Sequence, residues 1–354
     1  MPLKMAHFCA YAAALGLSLL SNANLCTAAE DHFRGKTLSI YTGASAGDGY
    51  DVYARLLAMH YQRYIPGSPT IVIRNMPGAG SLKAANYIYE IAPKDGTAMG
   101  TVGGGTATAD LFKSKGVRFD PRYYAWIGSM NAEVGLVLAW KTIPIDRIDD
   151  LFHRELLVGG GGPTSGNVVF AHVMNKVLGT RFKLIAGYKS TGDIALAIER
   201  GELEGTASYH YSSIITSKPD WIANREVKVL LQDSLRAHSL FPDVPVVLDL
   251  AKTSDQRSIL ELVFARQEMG RPFMLPPGTP PELVTLLRRA FNAAMQDPQL
   301  ITDAKRQRLD LNRPMTGEDI HRLIDRLYTF PADIVAKAAD ATGENAAEGS
   351  IDER

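Results

Sequence analysis

The pentapeptide Gly43-Ala44-Ser45-Ala46-Gly47 lies between an apolar run, Leu38-Ser39-Ile40-Tyr41, and a helical pattern. G-x-S-x-G between a strand and a helix is the spacing of a nucleophile elbow, which exposes a serine for acyl transfer. The same arrangement suits a second chemistry. The first backbone N–H groups of a helix have no partner within it. A loop of small residues leaves them open, so an anion there gains hydrogen bonds and the positive end of the helix dipole, about 0.3–1 kcal/mol from the dipole alone. Gly103-Gly104-Gly105-Thr106 and Gly159-Gly160-Gly161-Gly162-Pro163-Thr164-Ser165-Gly166 repeat the pattern of apolar run, glycine loop and helix. Three such loops suit a cleft that wraps a small polar ligand.

The elements around these loops weigh against the elbow. Tyr53, Leu56, Leu57, His60 and Tyr64 share one helix face, so the helix starts after Asp48-Gly49 and not directly after Ser45. The hydrolase fold takes part of its oxyanion hole from a strand earlier in the chain, and none precedes Leu38. His153, His172, His210, His238 and His321 remain available as partners, so a hydrolase stays the alternative. The histidines show no H-E-x-x-H or similar spacing, and no metal or cofactor is expected. Neither G-x-x-x-x-G-K-[ST] nor G-x-G-x-x-G occurs, and Gly35-Lys36-Thr37 lacks the upstream glycine. Asp51 reads equally as a ligand contact or as an acid stabilising a helix start. His210, between Tyr209 and Tyr211, reads as a ligand contact or a structural histidine. Tyr188 lines a cleft or packs under a loop, and Trp126, Trp140 and Trp221 default to packing.

The chain has 354 residues, with 38 basic and 38 acidic side chains. That balance gives no case for nucleic acid or for a polybasic membrane surface. Lys4, the apolar run Phe8 to Leu20 and the small residues Cys26-Thr27-Ala28-Ala29 read as a secretory signal over residues 1–29. Lipid attachment at Cys26 is disfavoured by the bulky Leu25. Cleavage removes both cysteines, Cys9 and Cys26, so core burial alone must hold the fold.

Apolar runs at Thr70–Ile73, Met99–Val102, Val134–Ala139, Leu156–Val158, Phe182–Ile185 and Val227–Leu231 alternate with helical stripes. This predicts an α/β protein with mostly parallel sheets. Helices are expected over Leu82–Ile91, through Phe170, Val173, Met174, Val177 and Leu178 to Gly179, and over Asp193–Arg200. Two signals mark a helix start at Thr279–Glu282, capping-box spacing and proline after the cap, and Thr316 with Asp319 starts another helix. The chain is expected to cross between halves near Val134–Ala139 and to return near Arg271–Leu275.

The ordered set of short motifs resembles the periplasmic receptors of tripartite tricarboxylate transporters, the Bug-type receptors. The resembling pieces include Gly47-Asp48-Gly49-Tyr50-Asp51 with Ala54-Arg55-Leu56-Leu57, Asn75-Met76-Pro77-Gly78-Ala79-Gly80 and Ala92-Pro93-Lys94-Asp95-Gly96-Thr97. Gly187-Tyr188-Lys189-Ser190, Glu199-Arg200-Gly201-Glu202 and Pro276-Pro277-Gly278-Thr279-Pro280 follow in order. The resemblance spans essentially all the chain after the leader.

It implies a two-lobed periplasmic-binding-protein fold of type II, its lobes joined by two crossing strands. Lobe 1 would hold 30–138 and 270–354, and lobe 2 would hold 139–269. It also implies a non-enzymatic periplasmic receptor for a small organic acid, working as a monomer with a large and a small membrane subunit. An orphan sensor is the other non-enzymatic alternative. By position, lobe 1 contributes Ala44, Ser45, Asp48, Gly49, Tyr50, Asp51, Gly105 and Thr106 to the ligand. Lobe 2 contributes Gly161, Thr164, Ser165, Tyr188, Ser190, Ser208 and Tyr209. The first loop departs from the family pattern: Ala46 stands where proline is usual and Asp48 replaces a glycine. Two carboxylates beside a bound carboxylate repel it by about 1 kcal/mol per pair at contact even in water. Either Asp48 points to solvent, or the ligand carries an amino or hydroxyl group that meets it.

Overall fold

Alternation of apolar runs and amphipathic stripes builds two mixed sheets with helices packed on them. The computed structural model describes residues 32–343, so the leader expected at 1–29 lies outside the described residues. The first half contributes β1 (Thr37–Thr42), α1 (Gly49–Tyr61), β2 (Thr70–Asn75), α2 (Leu82–Glu90), β3 (Ala98–Thr101) and β4 (Ala125–Ser129). The middle contributes β5 (Gly135–Trp140), β6 (Leu156–Gly159), α3 (Gly166–Val173), β7 (Phe182–Ile185), α4 (Thr191–Glu199), β8 (Gly205–His210), α5 (Tyr211–Ser217), β9 (Val227–Asp233) and α6 (Ser254–Phe264). The last part contributes β10 (Pro272–Leu275), α7 (Pro281–Met295), β11 (Met315–Thr316), α8 (Gly317–Leu327) and α9 (Ala332–Thr342).

Sheet one runs in the order β11-β4-β10-β3-β1-β2, and sheet two in the order β7-β6-β8-β5-β9. β1 pairs in parallel with β2 and β3, and β6 with β7 and β8. The expectation of mostly parallel sheets needs correction. The chain passes from sheet one to sheet two after β4 and returns before β10, and each newly entered strand inserts antiparallel between two others. β5 lies between β8 and β9, and β10 between β3 and β4. Val134–Ala139, read from sequence as a crossing, is mostly this inserted strand.

Burial follows the helical periods. Tyr53, Leu56, Leu57 and His60 of α1 are buried as expected, but Tyr64 falls beyond the helix end. Tyr61 takes the deep position, its hydroxyl donating to the Leu287 carbonyl at 2.7 Å. Full burial of one such apolar side chain stabilises by roughly 1.5–3 kcal/mol. The Phe170–Leu178 stripe is α3 continued by a single π-helical turn over Met174–Leu178, closed by Gly179 at φ +83°. The Thr316 box forms in both directions: Asp319 N–H donates to Thr316 Oγ1 at 3.1 Å, and Thr316 N–H to Asp319 Oδ2 at 3.0 Å. The Thr279 box does not form. Its hydroxyl donates instead to the Pro276 carbonyl at 2.8 Å, and Pro280 occupies the cap position.

The C-terminal helix differs from the sequence-based division. α9 packs against α3 and α6, both of which belong with sheet two, and Lys337 pairs with Asp255 at 2.6 Å. Residues after 270 therefore do not all stay with sheet one.

Candidate functional site

The loops that follow β1, β2 and β3 in sheet one and β6, β7 and β8 in sheet two converge on a single cavity of about 570 Å³. Open α/β sheets bind ligands outside the carboxyl ends of their strands, and here two sheets do so facing one hollow. The segment before β10 forms part of the wall, through Arg266, Gln267, Gly270 and Arg271.

In the loop after β1, the chain's own carboxylates already occupy part of the amide array. Asp48 Oδ2 accepts from Ser45 N–H at 3.2 Å. Asp51 Oδ2 accepts from Gly47 N–H at 2.8 Å and from Arg55 Nε at 2.9 Å, while its Oδ1 accepts from Asn75 Nδ2 at 2.9 Å. Burial pushes Asp51 up, but these bonds and the Arg55 charge outweigh it and hold its carboxyl below the usual range. Burial and the neighbouring Asp51 charge push Asp48 above its ordinary value, against the Ser45 bond. The two aspartates thus differ in kind: Asp51 is fully paired and Asp48 lines the cavity.

The loop after β2 is strained. Gly78, Ala79, Gly80 and Ser81 all have positive φ, at +143°, +45°, +59° and +80°. Non-glycine residues in such regions cost about 1–3 kcal/mol each and persist only where their surroundings hold them. Ser81 is held on both sides: its Oγ donates to the Gly43 carbonyl at 3.1 Å and accepts from Gly103 N–H at 3.2 Å. One serine thereby ties together the loops after β1, β2 and β3. Across the cavity, Thr164 Oγ1 donates to the Ala79 carbonyl at 3.3 Å. A Cβ on Gly80 would overlap that hydroxyl, so only glycine lets the two loops meet.

Beneath the cavity, Arg271 and Glu133 form an ion pair at 3.0 Å, each side chain 1% exposed. Ser212 Oγ donates to Glu133 at 2.6 Å and accepts from Arg271 at 2.8 Å. The Arg271 guanidinium also lies 4.6 Å from the Tyr50 ring centroid. Burial alone would raise Glu133, but the Arg271 and His210 charges and the Ser212 hydrogen bonds together outweigh it and hold the carboxyl low. Breaking a buried pair by removing one partner costs roughly 3–5 kcal/mol. His210 borders this pair, 4.0 Å from Glu133. Burial lowers its pKa to about 4; the Arg271 and Arg266 charges add to that, and Glu133 opposes it.

Of the residues singled out from sequence, Ala44, Ser45, Asp48, Gly49, Tyr50, Gly161, Thr164, Ser165, Tyr188 and Ser190 line the cavity. Asp51, Gly105, Thr106, Ser208 and Tyr209 do not. Asp51 is buried beneath the loop that it organises. Gly105 makes room for Arg266, whose guanidinium would overlap any Cβ there. Thr106 is buried and closes its own loop, donating to the Gly103 carbonyl at 2.9 Å. Ser208 and Tyr209 lie within β8 rather than past its end; Tyr209 is buried against Trp221, ring centroids 5.9 Å apart. His210, at the end of that strand, does reach the cavity.

Sequence reading passed over Pro77–Ser81, Phe170, Arg266, Gln267 and Arg271. The glycine and proline spacing of the first was visible. Arg271 also left a trace, as a lone cation entering the apolar run Pro272–Leu275. Ser45 Oγ has no histidine within hydrogen-bond reach among the described residues. No three His, Cys, Asp or Glu side chains gather as a metal site there either.

A sequence profile described as "Tripartite tricarboxylate transporter family receptor" matches residues 54–327. No curated protein matches the chain in sequence. Among solved structures, the periplasmic binding protein BugD is similar at TM-score 0.66 and 18% identity, over 87% of this chain and 98% of its own. MatC from Rhodopseudomonas palustris, with bound malate, is similar at TM-score 0.63 and 20% identity, over 85% of this chain and 99% of its own. R. palustris Rpa4515, with adipate, is similar at TM-score 0.65 and 17% identity, over 86% of this chain and 97% of its own. At these identities the likeness establishes a shared fold.

Proposed function

This chain belongs to the family of tripartite tricarboxylate transporter receptors, and we propose that it takes a small organic acid into the cavity between its two sheets and delivers it to a membrane transporter. The observation that carries the reading is the convergence of loops from six strand ends, three in each sheet, on one hollow. Glycine-lined strand ends let backbone N–H groups approach a carboxylate closely, and glycine-lined loops of both sheets border the hollow. The structures of MatC and Rpa4515, which hold malate and adipate, support a carboxylate as the ligand class.

In this reading the sheets are the cores of two lobes, approximately 30–138 with 270–354 and 139–269, apart from α9, which packs on sheet two. The lobes close by hinging where the chain passes between sheets. The receptor works in the periplasm as a monomer after loss of its leader. Its partners are a large and a small membrane subunit. It performs no bond chemistry, and Ser45 is a rim residue of the cavity.

A thermal-shift screen of mono-, di- and aromatic carboxylates and amino acids tests this. A ligand at 100 times its Kd stabilises by about 2.7 kcal/mol through mass action, so a true ligand should raise Tm by several degrees. No shift with any compound would refute the receptor reading. Labelling by a fluorophosphonate probe that is lost in Ser45→Ala would favour a hydrolase instead.

A further inference from the structure

We propose that Asp48 is a specificity residue and that the ligand is an amino carboxylate whose ammonium group docks on it. This rests on the receptor reading above and narrows it.

The argument starts from donors. A carboxylate ligand needs N–H groups, yet two amides of the first glycine loop are already taken by carboxylates of the chain: Ser45 N–H by Asp48 and Gly47 N–H by Asp51. An incoming carboxylate would have to displace Asp48 and then lie beside its charge. An ammonium group meets no such obstacle. It carries three donors and no acceptor, while an ionised carboxyl has room for about four hydrogen bonds, and Asp48 spends one of its own on Ser45. Asp51 cannot serve the same end, because Arg55, Asn75 and Gly47 already use it and it is buried.

Charge is distributed unevenly around the hollow. Asp48 is the acidic side chain that lines it. Glu133 lies beneath and is matched by Arg271 at 3.0 Å. Lys189, in the loop after β7, and Arg266 and Arg271, before β10, line the remaining wall. A molecule with a positive and a negative end fits that polarity, its carboxylate turned toward the loops of sheet two. A dicarboxylate of the same length leaves one end facing Asp48. Burial and the neighbouring Asp51 charge, which raise the pKa of Asp48, agree with a carboxyl group that gains from a cationic partner.

The test is isothermal titration of wild type and Asp48→Asn with matched pairs: succinate and adipate against 4-aminobutanoate and 6-aminohexanoate, and the α-amino acids against their deaminated acids. Asparagine keeps the side-chain shape and can still accept from Ser45 N–H. Wild type should bind an amino member at least tenfold more tightly than its partner, and Asp48→Asn should shrink that preference at least tenfold. Binding in which the deaminated or dicarboxylate member wins, or in which the ratio is the same in both proteins, overturns the proposal and leaves the receptor reading standing. If no probe binds wild type, both fall together. The wild-type comparison decides the matter even if the variant folds poorly.

Discussion

Asp51 and His210 are two side chains whose surroundings set their charge. Asp51 is held by Gly47, Arg55 and Asn75, and its pKa lies below that of the unfolded chain. Its contribution is therefore present above the ordinary carboxylate value and is lost as the pH falls through the folded value. Arg55 is 52% exposed, so solvent screens much of its share. The bonds from Gly47 N–H and Asn75 remain beside it, and Asp51→Asn should cost about 1–3 kcal/mol, read as a lower urea midpoint at pH 7. His210 works in a different window. Its pKa is about 4 in the fold against an ordinary 6.5. Between those values the unfolded chain holds more protons, so stability falls as the pH drops across that window. His210→Gln should flatten this part of the stability profile; an unchanged slope would contradict the burial of a neutral histidine. Both roles were half legible. Acid spacing placed Asp51 at a helix start, but only the fold reveals that Asn75, at the end of β2, reaches it.

At the scale of elements, the strained Pro77–Ser81 turn organises the site. Ser81 joins three loops, and Gly80 lets Thr164 of the opposite loop approach. Gly80→Ala should both strain a φ of +59° and push Thr164 away. We expect weaker binding of organic acids with a smaller loss of global stability. Equal affinity in the variant would show that contact between these loops is unimportant. Strand and helix positions were largely legible, because periods of two and of three to four residues report which face is buried. The Thr316 box was legible too, but the same spacing at Thr279 misled. There the threonine turns back to the Pro276 carbonyl, and the prolines set the helix start. The cavity lining was hard to read at strand ends: Ser208 and Tyr209 lie within β8, before its end, and the loop after β3 turns Gly105 toward Arg266.

For the whole molecule, strand insertion matters most. β5 and β10 each follow a passage between sheets and enter antiparallel, which no local period announces. The same passages bring Glu133 and Arg271 together beneath the cavity, 138 positions apart in the chain. α9 adds a further tie by packing on α3 and α6. Closure of the two sheets around a ligand must therefore bend three connections, and X-ray scattering should report a smaller radius of gyration when a binding acid is added. The most direct measurement is a crystal structure with the organic acid that gives the largest thermal shift. The account predicts that the acid lies between the loops after β1–β3 and those after β6–β8, in contact with both. An acid bound on another face, with this hollow left to solvent, would contradict it.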